Sequence, residues 1–253
     1  MTTSDQAVEP THRAGEPSGE SVRKILFEIL ALWLVVNLLI RGVRIAYDSM
    51  SGLGWWVELG LAIVPVLFMY TPVLVCRLRG VDSWSYPLAV PSLRDWPTWR
   101  KAIGVNLVVI GIVAVPFFVL YHFWHLYVFG HTFKGIYTER ILLIVGYHLF
   151  FVAIPEELFY RGYLQTRLNE AFSTRWRVLG ATIGPGLLIA TLLFAFGHSI
   201  VVFQWWHFAI MLPGLVFAWM RARTGDIMAG AFFHAWCNIT VTVLDIMYGI
   251  QPP

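Results

Sequence analysis

Three short polar clusters interrupt apolar stretches of this sequence, and their residue types are those of acid/base chemistry. In the first, Glu156 and Glu157 precede Arg161 within PEELFYRGYLQ; in the second, His198 follows Phe194 within FAFGHS; in the third, His234 and Asn238 bracket AWC. On a helix, residues four apart share a face, so Glu157 and Arg161 can pair while Glu156 points about 100° away. One carboxylate is neutralised and the other is left free. An apolar setting disfavours the charged form of that free group and makes it the better proton acceptor, so Glu156 is the general base this sequence offers. Phe194 with His198, and His234 with Asn238, repeat the four-residue spacing. Such a set can activate water with Glu156 and His198 and hold a tetrahedral oxyanion with donors from His234 and Asn238. That is peptide-bond hydrolysis without a covalent intermediate. A serine route fits poorly, because no Ser sits in a nucleophile-elbow pattern, and neither Cys76 nor Cys237 accompanies a suitable His.

Each cluster also has a purely structural reading. Two glutamates can share one arginine as an interhelix lock, and a single histidine near a helix end is commonly a satisfied core or interfacial group. An ionisable side chain at mid-bilayer depth costs at least ~2.5–3.5 kcal/mol, however, and a second carboxylate beside the Glu157–Arg161 pair shifts the balance toward function. The other histidines carry less weight. His122, His125 and His131 lie together where headgroup contact explains them, with a surface metal site as the outside alternative. His207 reads as interfacial, and His148, two turns before Glu156, as a group that could back the site.

Side chains this costly need helices around them. Of the 253 residues, 58% are hydrophobic and 13% charged, which excludes an ordinary water-soluble domain. A hydrocarbon core about 30 Å thick takes roughly 20 apolar residues at 1.5 Å each. Seven segments approach that length, at about 25–42, 55–76, 102–122, 141–164, 180–200, 204–220 and 227–248. The expected fold is all-α, a polytopic membrane bundle of about seven (six to eight) transmembrane helices. Residues 1–22, rich in Ser, Thr, Glu, Pro and Gly, are expected to be a disordered cytoplasmic tail. Residues 23–250 then make a single transmembrane domain whose motif-bearing core is about 140–245. The net charge of +3 is too small and too scattered for nucleic-acid binding. Alternate connections carry 13 and 4 basic residues, with Arg161 inside a segment. That bias places the N-terminus in the cytoplasm.

The fifth segment poses a geometrical problem. A straight helix from Arg177 would put His198 about 30 Å from the cytoplasmic end, whereas His234 lies only about 13 Å in from Asp226. Gly180, Gly184, Pro185 and Gly186 resolve it: residues 178–186 are expected to lie along the interface, with the spanning helix starting after Pro185. His198 then lies at roughly 18 Å.

In their order and spacing these clusters resemble the CPBP family, the CAAX proteases and bacteriocin-processing enzymes also called Abi. Its pattern is Glu-Glu-x-x-x-Arg, Phe-x-x-x-His and His-x-x-x-Asn or Asp, matched here by Glu156-Glu157 with Arg161, Phe194 with His198, and His234 with Asn238. The resemblance implies a glutamate-type intramembrane endopeptidase. Glu156 and His198 would activate water, His234 and Asn238 would form the oxyanion hole, and Glu157, Arg161 and Phe194 would support the site. It also implies a lipidated or membrane-anchored protein substrate, a setting in the bilayer, and the bacterial cytoplasmic membrane as location. No cofactor is expected. Zinc stays as the lesser alternative because the family was long described as metalloproteases, although the chain has no His-Glu-x-x-His. A non-catalytic immunity or scaffold protein, or a small transporter, are the competing functions, since intramembrane Glu and His also mark ion paths.

Overall fold

The protein is described by a computed structural model over residues 18–50, 59–135 and 140–250. Among these residues the chain forms seven helices, the number of apolar segments. They are α1 (Val22–Met50), α2 (Ile63–Leu78), α3 (Trp96–Val128), α4 (Ile141–Glu170), α5 (Pro185–Val201), α6 (Met211–Thr224) and α7 (Met228–Met247). Four of them, α1, α3, α4 and α7, are long and apolar enough to cross a membrane. At 16, 17 and 14 residues, α2, α5 and α6 are shorter than the roughly 20 residues a perpendicular span requires.

Local chemistry sets several of these ends. The Asp95 side chain accepts from the Thr98 backbone N–H at 3.4 Å and Pro97 follows, so α3 begins where a capped, proline-initiated helix should. α6 stops at Gly225, whose φ of 90° is readily adopted without a Cβ. α5 starts at Pro185 behind an extended Gly184, as the depth argument requires. The residues before it form a small antiparallel hairpin, β1 (Trp176–Val178) and β2 (Ala181–Ile183), turning through Leu179 and Gly180 at φ 46° and 75°. Trp219 Nε1 donates to the Val178 carbonyl and an Arg223 guanidinium nitrogen to that of Gly180, which fastens the hairpin to α6. The sixth segment differs from expectation. Its first part, Trp205–Ile210, is a 3₁₀ turn, and the α-helix runs on to Thr224. A 3₁₀ stretch rises faster per residue, so the connection covers more distance with fewer residues.

The helix ends meet in the alternation expected of an up-and-down bundle. At one end Lys101 Nζ donates to the Thr224 carbonyl, and Arg167 pairs with Glu20, Glu28 and Glu170 at 2.6, 3.0 and 2.6 Å. At the other, Arg41 donates to the Ile200 carbonyl and the Lys134 N–H to that of Met247. Residues 18–21, the last of the expected tail, are tied in at the first end. The Ser18 N–H donates to the Glu170 carbonyl, and the Lys24 hydrogen bond, with Arg167, holds the Glu20 carboxyl down at about 2. Residues 1–17, and with them most of that tail, lie outside the described residues, as do Trp55, Trp56 and the start of the second segment. The core centres on the second half of α4, which is buried continuously from Glu157 to Leu168. α3, by contrast, buries only Ala102, Asn106 and His125 and turns most of its apolar surface outward, as a lipid-facing helix does.

Candidate functional site

The polar cluster of α4 sits in an unusual stretch of backbone. Pro155 has no N–H to give to the preceding turn, and the helix answers with π-turns on both sides, over Tyr147–Ala153 and Leu158–Gln165. The short α-helical piece between them, Ile154–Glu157, carries both glutamates. Such wide turns displace side chains from the regular α register and are common at functional sites.

Glu157 and Arg161 are fully buried and 3.2 Å apart, the pairing their spacing demands. Arg161 also donates to the Gly214 carbonyl of α6 at 3.1 Å, and its guanidinium lies 4.1 Å from the Phe194 ring centre. The same oxygen of Glu157 that faces Arg161 takes a hydrogen bond from His234 Nδ1 at 3.1 Å. A carboxylate only accepts, so the His234 proton sits on Nδ1 and leaves Nε2 facing Glu156. Nε2 is 3.8 Å from Glu156 Oε2, an ion-pair distance beyond a hydrogen bond. The ring is held flat against Phe217, centroids 4.7 Å apart at 12°, with Phe194 edge-on at 5.7 Å. α7 approaches α4 this closely because position 230 has no side chain: a Cβ there would lie 2.9 Å from Glu157 Oε2.

His198 is placed by its own helix. Nδ1 donates to the Phe194 carbonyl at 2.9 Å, which leaves Nε2 as the accepting nitrogen of the neutral ring. Its ring packs on Phe194 at 4.7 Å, and Phe194 in turn meets His234 and Arg161. Phe194 lies about 14 Å along α5 from Pro185, and His234 about 9 Å along α7 from Met228. The late start of α5 is what brings the two helices level. Of the residues singled out in the sequence, Glu156, Glu157, Arg161, Phe194 and His234 thus form one connected cluster around the His234 ring. His198 joins them through Phe194, one turn on, and Asn238 is half-buried one turn beyond His234. Sequence reasoning missed Phe217, Gly214 and Gly230. Gly230 alone left a trace, lying four residues before His234 on the same face of α7. Among the described residues no group of three or more His, Cys, Asp or Glu side chains is arranged to hold a metal ion.

The stretch that carries all of these groups, residues 138–240, matches the family model for Rce1-like proteins, described as type II CAAX prenyl endopeptidase Rce1-like. That match likens the site-bearing helices to those of the CAAX proteases. No curated protein and no solved structure matches the chain. The match begins just before α4, so α1, α2 and α3 lie outside it. Proteins of that family are peptide hydrolases that act on prenylated, membrane-anchored proteins, and the four long apolar helices here fit a membrane setting.

Proposed function

We propose that this protein is a CAAX-type protease that cleaves a peptide bond near the C-terminus of a lipidated or membrane-anchored protein, with Glu156 and His198 activating water and His234 and Asn238 stabilising the oxyanion. The observation that carries this reading is Glu156 facing His234 Nε2 at 3.8 Å while Glu157 and Arg161 hold the imidazole from behind. Glu156 takes one proton from water as the water oxygen bonds to the scissile carbonyl carbon. His198, with Nε2 free to accept, orients that water. The carbonyl oxygen becomes an oxyanion, for which the Asn238 amide is a donor in every protonation state and His234 Nε2 is one when the ring carries both protons. As the C–N bond breaks, the proton held by Glu156 passes to the leaving nitrogen. The new carboxylic acid then gives its proton to the released amine.

No metal enters these steps. The chain has no His-Glu-x-x-His, which favours the metal-free reading over zinc. Glu156→Gln should lower the rate by at least ~10²-fold while the protein still folds and inserts. Comparing membrane proteomes of cells that express the wild type or Glu156→Gln tests this: uncleaved C-terminal tails should accumulate with the variant. Equal processing by both would remove the proteolytic assignment and return the immunity, scaffold and transporter readings. Activity that survives chelators is expected, and its loss with restoration by Zn²⁺ would overturn the metal-free route.

A further inference from the structure

Buried polar atoms of α4 without a hydrogen-bond partner include Glu156 Oε2 and His148 Nδ1. The other ring nitrogen of His148, Nε2, is 2.9 Å from Thr242 Oγ1 on α7. Two polar rungs therefore cross the antiparallel seam between α4 and α7, His148 with Thr242 and Glu157 with His234. Midway between them on α7 stands Asn238, half-buried, and the matching register of α4 holds the small, fully buried Ala153. The stripe continues outward. Asp245, three residues past Thr242, accepts from the Tyr121 hydroxyl and lies 3.6 Å from His125 Nε2 near the end of the bundle. At 100° per residue, His234, Asn238, Thr242 and Asp245 fall within about 80° of arc, so one face of α7 is polar from the site to the helix end. Polar side chains at this depth belong against protein or water, not lipid. A buried ring nitrogen left unsatisfied costs ~1–3 kcal/mol, a cost that an ordered water removes.

We propose that the α4–α7 seam holds a short run of water between His148 Nδ1 and Glu156 Oε2, and that His148 is a positioning residue for the hydrolytic water. Eight residues separate the two side chains, at most about 12 Å along the axis since the π-turn between them is shorter per residue, which about two or three hydrogen-bonded waters would span. Each turnover consumes one water: one of its protons reaches the leaving nitrogen by way of Glu156, and its oxygen stays in the new carboxylate. A replacement has to arrive in the same orientation. Thr242 fixes the His148 ring, and Nδ1 anchors the far end of the run without exchanging a proton with the substrate. The proposal rests on the assignment of Glu156 as the base.

The test uses the full-length protein in lipid nanodiscs with a fluorogenic farnesylated CAAX peptide. His148→Leu and Thr242→Val should each lower kcat about 10-fold with KM nearly unchanged, less than the ~10²–10⁴ of a residue that itself moves the proton. His148→Gln, which keeps a hydrogen-bonding end, should restore most of kcat, and the solvent deuterium isotope effect on kcat should rise in His148→Leu. If His148→Leu does not fold, Thr242→Val gives the expected loss on its own, beside a near-wild-type His148→Gln. Unchanged kcat in Thr242→Val, and in His148→Leu where it folds, beside an inactive Glu156→Gln overturns the inference alone, as do Leu and Gln variants impaired equally. An active Glu156→Gln removes the base assignment, and the inference falls with it.

Discussion

Glu157 has two obligations that its neighbour Glu156 lacks: it neutralises Arg161, and it accepts the Nδ1 proton of His234. Removing Arg161 leaves the Glu157 carboxylate buried without its counter-charge. Arg161→Ala should therefore destabilise the protein by about 3–5 kcal/mol, the usual cost of stranding half of a buried pair. Arg161→Lys should recover little of it, since an ammonium cannot reach the Gly214 carbonyl, the Phe194 face and Glu157 with one planar fork. Thermal unfolding in detergent reads both outcomes, and a wild-type midpoint for Arg161→Ala would contradict the pairing. Gly230 tests the same contact from the other helix. A Cβ placed 2.9 Å from Glu157 Oε2 has to push the carboxylate or α7 aside. Gly230→Ala is expected to cost about 1–3 kcal/mol and to lower kcat more than it raises KM. A variant with full activity would show that the two helices need not approach so closely.

Helices α1, α4 and α5 are locked by polar side chains where apolar packing would be the default in lipid. Trp33 Nε1 of α1 donates to the Leu193 carbonyl of α5 at 2.8 Å, and Asn37 meets the Tyr160 hydroxyl of α4. The crossing is tight at Gly197, where a Cβ would lie 2.5 Å from the Tyr160 hydroxyl and 2.7 Å from Asn37 Oδ1. Small residues at such crossings let backbones approach, which is the main source of packing energy between membrane helices. Gly197→Ala should cost about 1–3 kcal/mol and, because Gly197 precedes His198, should also lower cleavage. Equal stability and activity would mean that α1 can move without disturbing α5. The hairpin ahead of α5 acts on the same helix from its other end. By taking up residues 176–183 it lets Pro185 open the span, so the level of His198 is set by where α5 begins.

Across the whole molecule the charges separate by end. Glu20, Glu28 and Glu170 meet Arg79 and Arg167 at one end, around a polar cavity of about 650 Å³. The opposite end has Arg41, Lys134 and the cluster of His125 with Asp245. We propose that the first end is cytoplasmic, in keeping with its share of basic residues. In a chain whose native cysteines are replaced, Ser85→Cys should react with an impermeant maleimide only after permeabilisation, and Thr132→Cys in intact cells. The reverse pattern would invert the topology. Glu20 gives a second reading at this level. Its carboxyl, held at about 2 against an ordinary 4.5, contributes to docking of residues 18–21 above pH ~4.5, and the contribution is lost as pH falls toward 2. Glu20→Gln should expose these residues to limited proteolysis at neutral pH, where the wild type resists.

What the amino-acid order determined by itself is what local rules encode. Apolar length, the four-residue spacing of Glu157 with Arg161 and of His234 with Asn238, and the breakers before Pro185 each follow from a single helix and its cost in lipid, so the bundle, its helix number and most members of the polar cluster proposed as the site were legible. The place of His198 along α5 was legible too, because rise per residue is a property of the helix. Only the tertiary structure decided that His234 turns Nδ1 to Glu157 and Nε2 to Glu156, that Phe194 and Phe217 clamp its ring, and that His148 reaches Thr242 across the seam. Those contacts depend on distances between helices, on the absent Cβ atoms of Gly230 and Gly214, and on the π-turns that rotate α4. A helical period fixes which residues share a face, but which face meets which neighbour is settled by packing between segments far apart in the chain.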